Sequence, residues 1–185
     1  TKEERQQLTD YMMAKHGLER NLLMAKRAAR KEFKAYSQKE GQTGQNFNDF
    51  LAVARKRDFA GLTSLTGEET TSAAEEKARQ MVKEYEAAHD TRELWDKVRN
   101  VNNATLAKNY ESGLMNKDTY EYIKSMYKYY VPLRGFDEDT SQDAYAYITQ
   151  RDSAFNAPIQ KTKGRSSKAD DIFANMESMA ESAIA

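Results

Sequence analysis

The sequence contains no cysteine, only two prolines and only eight glycines among its 185 residues. Without cysteine there is no disulfide, no thiolate metal ligand and no thiol nucleophile, which suits a reducing cytosol. The scarcity of helix breakers, with abundant Ala, Glu, Lys, Gln and Met, favours α-helix along almost the whole chain. No apolar stretch approaches the roughly 18 residues that a membrane-spanning helix needs. We therefore predict an all-α protein without membrane contact.

Charge is balanced over the whole chain. Lys plus Arg and Asp plus Glu both number 29, so no global field draws the protein to nucleic acid or to an anionic membrane. Any such attraction must be local. The chain opens at Thr1 and both ends lie inside helical pattern, so we expect either a single helical domain over residues 1–185 or a fragment of a larger protein.

Hydrophobic periodicity predicts an irregular multi-helix bundle of about six to seven helices with a long first helix. A candidate hinge covers residues 58–70, which read as a loop, and an extended surface segment covers 151–169. The predicted helices are 2–38, 48–57, 71–88, 90–112, 117–130, a short one through Tyr145 and Ile148, and a last one from Asp170.

Local signals mark several helix boundaries. Gly17 interrupts the first helix and predicts a kink or a close helix contact there. Asn46 or Asn48 is expected to cap the second helix. The capping-box spacing predicts that Ser72 opens the third helix and Asp90 the fourth, while Gly113 is a natural residue to follow the end of the fourth.

The most aromatic stretch is 120–136, YEYIKSMYKYYVPLRGF, which holds five of the eleven tyrosines. Its helical spacing makes roughly half the circumference apolar. We expect helix 117–130 to be the central element, with its tyrosines buried between the first helix and the helix that carries Trp95. Pro132 should turn the chain extended from Tyr130 onward.

The fourth helix should bury an apolar side and expose an amide-rich one. Asn100, Asn102 and Asn103 are interpreted as a solvated face in preference to a buried polar network. The expected buried side consists of Leu94, Trp95, Val98, Val101, Leu106 and Tyr110.

No catalytic, cofactor-binding or metal-ligating residue is predicted. His16 lacks the second histidine four residues on that a helical zinc site needs, and His89 lies at a helix junction, so both are given structural or surface roles. Gly41 and Gly44 lack the strand-to-helix context of a phosphate loop.

Local basic clusters leave nucleic-acid binding open. Each cluster could neutralise a few phosphates, although such runs on helices are usually solvated faces. The clusters are Lys26, Arg27, Arg30, Lys31 and Lys34; Arg55, Lys56 and Arg57; and Lys161, Lys163, Arg165 and Lys168.

Four phrases carry a family resemblance: YMMAKHGLERN, DFAGLTSLTG, YESGLMNKDTYEYIKSMYKYYVPLRGF and GRSSKADDIFANMESMAESAI. Together they resemble the helical associated regions of very large polyvalent proteins from phages and conjugative elements of Bacteroides-type bacteria. Such proteins join DNA methylase, helicase and peptidase domains with non-enzymatic helical modules. The chain itself shows no methylase DPPY-like or NPPY-like motif and no Walker lysine.

The resemblance implies a non-catalytic scaffolding or interaction module whose partners are other domains of a parent polypeptide, or another protein. It implies the bacterial cytosol, or packaging in a virion with DNA. A DNA-binding or DNA-packaging domain is the alternative. The matching positions with an expected structural or contact role are Tyr130, Pro132, Leu133, Arg134 and Gly135, and later Gly164, Arg165, Ser166 and Asp170.

Overall fold

A computed structural model of the protein describes residues 1–39, 44–132 and 172–184. These residues form seven helices and contain no strand, which confirms the predicted all-α class with a long first helix. The extended segment 151–169 and the short helix through Tyr145 and Ile148 lie outside the described residues. The helices are α1 (Lys2–Ser37), α2 (Phe47–Ala54), α3 (Leu62–Thr66), α4 (Thr71–Ala88), α5 (Arg92–Glu111), α6 (Lys117–Met126) and α7 (Ile172–Ile184).

The long helix α1 supports two separate cores. At 1.5 Å per residue its 36 residues extend about 54 Å. Its first half buries Tyr11, Met12 and Ala14 in the main core, against side chains of α3, α4, α5 and α7. Its second half buries Ala25 and Ala29 in a smaller core against α2. The element that organises the chain is therefore α1, and not the predicted helix 117–130.

The smaller core is built from alanines at its centre and aromatic rings at its edge. Ala25, Ala29 and Ala54 are fully buried, so the backbones of α1 and α2 approach closely. The ring of Phe50 lies 5.8 Å from that of Phe33, nearer the end of α1. The two helices therefore run antiparallel. Asn46, one of the two predicted caps, opens α2 and accepts a hydrogen bond from Asn48 N at 2.8 Å.

The segment 58–70, interpreted as a loop, contains the short helix α3. The carboxylate of Asp58 accepts hydrogen bonds from the backbone N–H groups of Leu62 (3.1 Å) and Thr63 (2.8 Å) and from the Thr63 hydroxyl (2.8 Å). Burial raises the pKa of Asp58, but these bonds outweigh burial and the net pKa is lowered. Sequence periodicity missed α3 because one turn is too short to show a period. The hinge stays a prediction.

Gly17 lies where α1 contacts α3. Of the kink and the close helix contact predicted at this glycine, the structure shows the close contact. A Cβ added at Gly17 would lie 2.8 Å from Leu62 Cδ2 and 3.4 Å from Ala60 Cβ. Leu62 is only 1% exposed, so its side chain has little room to move. The glycine is therefore required by packing.

The predicted caps of α4 and α5 are each wrong. Thr70, and not Ser72, caps α4 and accepts a hydrogen bond from Ala73 N at 3.2 Å. The N-cap of α5 is Thr91. Asp90, one residue before this cap, accepts a hydrogen bond from Arg92 N at 3.1 Å. Adjacent hydroxyl and carboxyl residues offer the backbone equivalent acceptors, so sequence alone does not select one.

The buried side of α5 is narrower than predicted. Trp95, Val98 and Leu106 are buried, but Val101 and Tyr110 are 42% and 38% exposed. At about 100° per residue these two lie roughly 40° beyond the edges of the buried stripe. The end of α5 at Ser112 is followed by Gly113 with φ +79°, as predicted for a residue just past a helix end.

The expected central helix ends earlier and lies nearer the surface than predicted. Helix α6 stops at Met126 and has no buried residue, whereas Val131 and Pro132 in the extended chain that follows are buried. The cause is a long-range contact: Glu19 of α1 accepts hydrogen bonds from the N–H groups of Lys128 (2.9 Å) and Tyr129 (3.0 Å). These two N–H groups are therefore not available to donate to helix carbonyl groups, so α6 does not continue through them. Pro132 alone would restrict only Val131.

A chain of hydrogen bonds crosses the main core. Trp95 Nε1 donates to the Tyr11 hydroxyl at 2.8 Å, and that hydroxyl donates to Glu86 Oε1 at 2.8 Å. Lys15 Nζ reaches the same Glu86 oxygen at 2.7 Å. Burial, with the Glu86 carboxylate nearby, raises the pKa of Tyr11 to about 12, so the phenol stays protonated and can donate. The Tyr85 ring stacks on Tyr11 at 4.4 Å.

We expect Gly17→Ala to lower the free energy of unfolding by about 1 kcal/mol. The gain in helix propensity, about 1 kcal/mol, is smaller than the 1–3 kcal/mol of overpacking. Urea denaturation of Gly17→Ala, Leu62→Val and the double variant checks this. Leu62→Val removes the clashing Cδ2 atom, so the two effects should be less than additive. Strict additivity would show that the contact is not the cause.

We expect Tyr11→Phe to destabilise the protein by about 1–3 kcal/mol, because the Trp95 N–H is left buried without its acceptor. Tyr85→Phe is the matched control: it keeps the stacked ring and removes a hydroxyl outside this chain of hydrogen bonds. Thermal and urea unfolding of both variants measure the difference. Equal effects of the two substitutions would contradict the assigned role of the Tyr11 hydroxyl.

Candidate functional site

Two of the three basic clusters predicted from sequence lie on the second half of α1 and in the turn after α2, and together they are here called the basic surface. This basic surface consists of Lys26, Arg27, Arg30, Lys31, Lys34, Arg55, Lys56 and Arg57. The antiparallel packing of α2 on α1 brings the turn after α2 beside the second half of α1. Arg57 Nη1 lies 2.8 Å from Glu32 Oε1, which joins the turn after α2 to the second half of α1. The third cluster, Lys161, Lys163, Arg165 and Lys168, lies outside the described residues.

The basic surface is an electrostatic asymmetry within a neutral chain. Residues 20–39 and 44–58 contain ten Lys or Arg and three Asp or Glu, whereas the complete sequence has 29 of each kind. Arg30, Lys31 and Lys34 are exposed and make no ion pair within the described part of the chain. Cations grouped at one end with few counter-charges create a local positive potential that attracts polyanions.

Not every cation of the basic surface points freely into solvent. Arg27 is half-buried, donates to the Tyr122 hydroxyl of α6 and lies 3.8 Å from Met24 Sδ. Arg57 is held by Glu32. Lys26 is also half-buried. The exposed charges best placed for a ligand are therefore Arg30, Lys31, Lys34, Arg55 and Lys56.

Four aromatic rings pack between the second half of α1 and α2. Phe33, Tyr36, Phe47 and Phe50 are all half-buried. Tyr36 and Phe50 have ring centroids 5.4 Å apart, and Phe33 and Phe47 6.3 Å apart. The interleaving of Phe33 and Tyr36 with Arg30 and Lys34 was the sequence signal available for placing rings beside cations. Partly exposed rings beside cations can stack with nucleic-acid bases.

The predicted contact residues Tyr130 and Pro132 lie in residues 127–132, an extended segment here called the strap. Glu19 holds the strap by its backbone N–H groups, and Asn102 Nδ2 donates to Tyr130 O at 3.0 Å. The Asn102 amide thus has a specific partner, whereas Asn100 is exposed as expected. Leu133, Arg134 and Gly135 lie outside the described residues, as do Gly164, Arg165, Ser166 and Asp170.

His16 is enclosed beneath the strap. It is 1% exposed, and its ring meets the rings of Tyr127 (5.0 Å) and Tyr130 (5.4 Å) edge to face. Burial, and then the charge of Arg20, lower the pKa of His16 to about 3, so the imidazole is neutral at pH 7. Its Nδ1 atom has no hydrogen-bond partner among the residues described here. His89 is exposed and stacks on Tyr85 at 4.2 Å.

Among the described residues, no group of three or more His, Asp or Glu side chains is arranged to hold a metal ion. None of the helices described here is both long and apolar enough to cross a membrane. Scans against protein-family models, curated proteins and solved structures find no match to this chain.

We expect the free energy of unfolding to fall as the pH decreases from about 6.5. In the unfolded chain the His16 imidazole has its ordinary pKa of 6.5 and takes up a proton, whereas in the folded protein its pKa is about 3 and it stays neutral. The stability is present above pH 6.5 and is lost progressively below it. From pH 7 to 4.5 the loss should be about 2–3 kcal/mol. His16→Phe keeps an aromatic ring and should flatten this slope.

Urea denaturation followed by circular dichroism at pH 7, 5.5 and 4.5 measures the effect. The matched control is His89→Gln, which removes the exposed imidazole and should keep the wild-type slope because His16 remains. A wild-type slope in His16→Phe would contradict the role assigned to His16. Asp58 and Glu86, whose pKa values are lowered, contribute their pH dependence below this window.

Proposed function

We propose that this chain is a non-catalytic helical interaction module that binds the phosphate backbone of nucleic acid on its basic surface. The observation that carries the proposal is that two sequence-distant cationic clusters lie on two packed elements, α1 and the turn after α2, which the Arg57–Glu32 ion pair joins. Each cluster alone holds no more cations than the solvent-exposed face of an ordinary helix. Together with the neighbouring aromatic rings they match the charge and stacking chemistry of a nucleic-acid strand.

The dimensions of the surface suit a polyanion. Residues 26–34 of α1 extend about 12 Å along the helix axis, over which a duplex presents roughly seven phosphate charges. The five exposed cations could neutralise about three to five of them. Binding of this kind is driven by counterion release and does not require base contacts. It is therefore expected to be independent of sequence and sensitive to salt.

The resemblance noted in the sequence supplies a biological setting for this proposal. In polyvalent proteins of phages and conjugative elements, helical modules lie between DNA-modifying domains. A module that holds the nucleic-acid backbone would keep the substrate close to such a domain and raise its effective concentration. Scaffolding contacts to other domains of the parent chain would use surfaces other than the basic one.

We expect the protein to bind a fluorescein-labelled 20-nucleotide DNA with an affinity that falls about 100-fold between 50 and 200 mM NaCl, as for about four neutralised phosphates. Arg30→Glu with Lys34→Glu should weaken binding at least tenfold and reduce the salt slope by about two. Fluorescence anisotropy across a salt series measures both quantities. Parallel titrations of duplex and single-stranded DNA show whether the aromatic rings favour single strands.

The matched control is Arg79→Glu with Lys83→Glu, the same charge change at exposed positions of α4, which should leave binding intact. Equal weakening by both pairs would indicate a net-charge effect and contradict a localised site. An affinity that does not change with NaCl concentration would also contradict the proposal. Competition with polyaspartate distinguishes a nucleic-acid ligand from an acidic protein. Displacement of the labelled DNA by polyaspartate at equal charge concentration would favour a protein partner.

A further inference from the structure

A cavity lies between α5, α6, α7 and the strap, and none of its lining residues belongs to the basic surface. Its volume is about 230 Å³, on the order of eight groups the size of a water molecule or methylene. The lining is mainly apolar and includes Val98, Leu106, Ile123, Tyr130, Met176 and Met179. The cleft is therefore suited to a short hydrocarbon chain or a single aromatic ring.

The polar side chains that line the cleft are neutral or positive among the residues that the structure describes. They are those of Arg99, Lys124, Lys128, Asn102 and Asn103, with the hydroxyls of Thr105, Tyr127 and Tyr130. Arg99 forms an ion pair with Asp96, whereas Lys124 and Lys128 form none with the other described residues. The two lysines are therefore the cations best placed for a ligand. An apolar cavity whose described charged side chains are cations is complementary to an amphipathic anion.

The two lysines are held in place by neighbouring aromatic rings. Lys124 Nζ lies 5.2 Å from the centre of the Tyr120 ring, and Lys128 Nζ lies 5.1 Å from that of Tyr129. These cation–π contacts keep both ammonium groups near the protein surface without removing their charge. A carboxylate at the cleft could therefore meet two cations whose side chains are already partly ordered.

The walls combine a fixed side with an adaptable one. Asn102 is anchored to the Tyr130 carbonyl, and Glu19 anchors the two preceding residues of the strap, so this side of the cleft is preformed. Another part of the wall consists of Met176 and Met179 of α7. Methionine side chains are unbranched and flexible, so they can adjust to chains of different shape.

We propose that this cleft binds a small amphipathic anion, with its aliphatic or aromatic body among the apolar side chains and its carboxylate at Lys124 and Lys128. The volume favours a chain of about eight carbon atoms. This inference is independent of the proposed nucleic-acid function, because it uses different helices and different cations.

Isothermal titration calorimetry of the full chain with sodium octanoate tests the proposal. Octanoate should bind saturably, about 15-fold more tightly than hexanoate, since each buried methylene contributes about fourfold. Octanol and octyltrimethylammonium, which keep the chain and change the head group, should bind at least tenfold more weakly than octanoate. Equal binding of the three head groups, or no saturation in the millimolar range, would overturn the proposal.

Two sets of variants locate the site. Lys124→Met with Lys128→Met should weaken octanoate binding at least tenfold and leave octanol binding unchanged. Met179→Trp should fill the cleft and weaken both, with circular dichroism checking that the helices persist. The matched control, Lys83→Met with Lys97→Met, removes two lysines elsewhere and should change neither. Loss of octanoate binding in the control pair, or its retention in Lys124→Met with Lys128→Met, would refute the assignment.

The outcome is separable from that of the nucleic-acid experiment. Arg30→Glu with Lys34→Glu should bind octanoate like the wild type. If octanoate binds and DNA does not, the cleft proposal stands and the proposed function fails. If octanoate binding depends on Arg30 and Lys34, the ligand lies on the basic surface and the cleft assignment is wrong.

Discussion

The structure depends on one helix burying different residues along its length. The first half of α1 contributes Tyr11 and Met12 to the main core, and the second half contributes Ala25 and Ala29 to the smaller one. A helix of about 54 Å is too long to be covered by one compact cluster of partners. The main core holds the aromatic hydrogen-bond network, while the far half packs on α2 along one side and exposes the cations Arg30, Lys31 and Lys34.

A single carboxylate has the largest effect on the region around the strap. By accepting two backbone N–H groups, Glu19 ends the helical hydrogen-bond pattern and fixes the strap across α1. The strap then closes over His16 with two tyrosine rings and forms one wall of the cleft. Burial of an imidazole, the end of α6 and the shape of a cavity thus follow from the same pair of hydrogen bonds.

The basic surface and the cleft are connected through one contact. Arg27 of the basic surface donates to the Tyr122 hydroxyl of α6, the helix that also contributes Ile123 and Lys124 to the cleft. This contact orients α6 relative to α1, which keeps the two proposed sites in a fixed relation.

Much of the fold was predictable from the sequence because its signals are local. The period of apolar residues located α1 and α4, and Asn46 and Gly113 marked boundaries where backbone groups need a side-chain oxygen or a positive φ. The basic clusters were likewise visible as runs of charge. That the two clusters lie on packed elements was not visible, since it arises from alanine contacts between α1 and α2 that no spacing encodes.

The sequence by itself determined the helical class, the length of the first helix and the identity of the charged residues, because each follows from composition or from a period of 3.6 residues. Only the tertiary structure decided where the tyrosine-rich helix ends, which two tyrosine rings of the following strap meet His16, and which lysines line one cavity. Those outcomes depend on hydrogen bonds such as those from Lys128 and Tyr129 to Glu19, made between residues more than a hundred positions apart, where no local pattern records the partner.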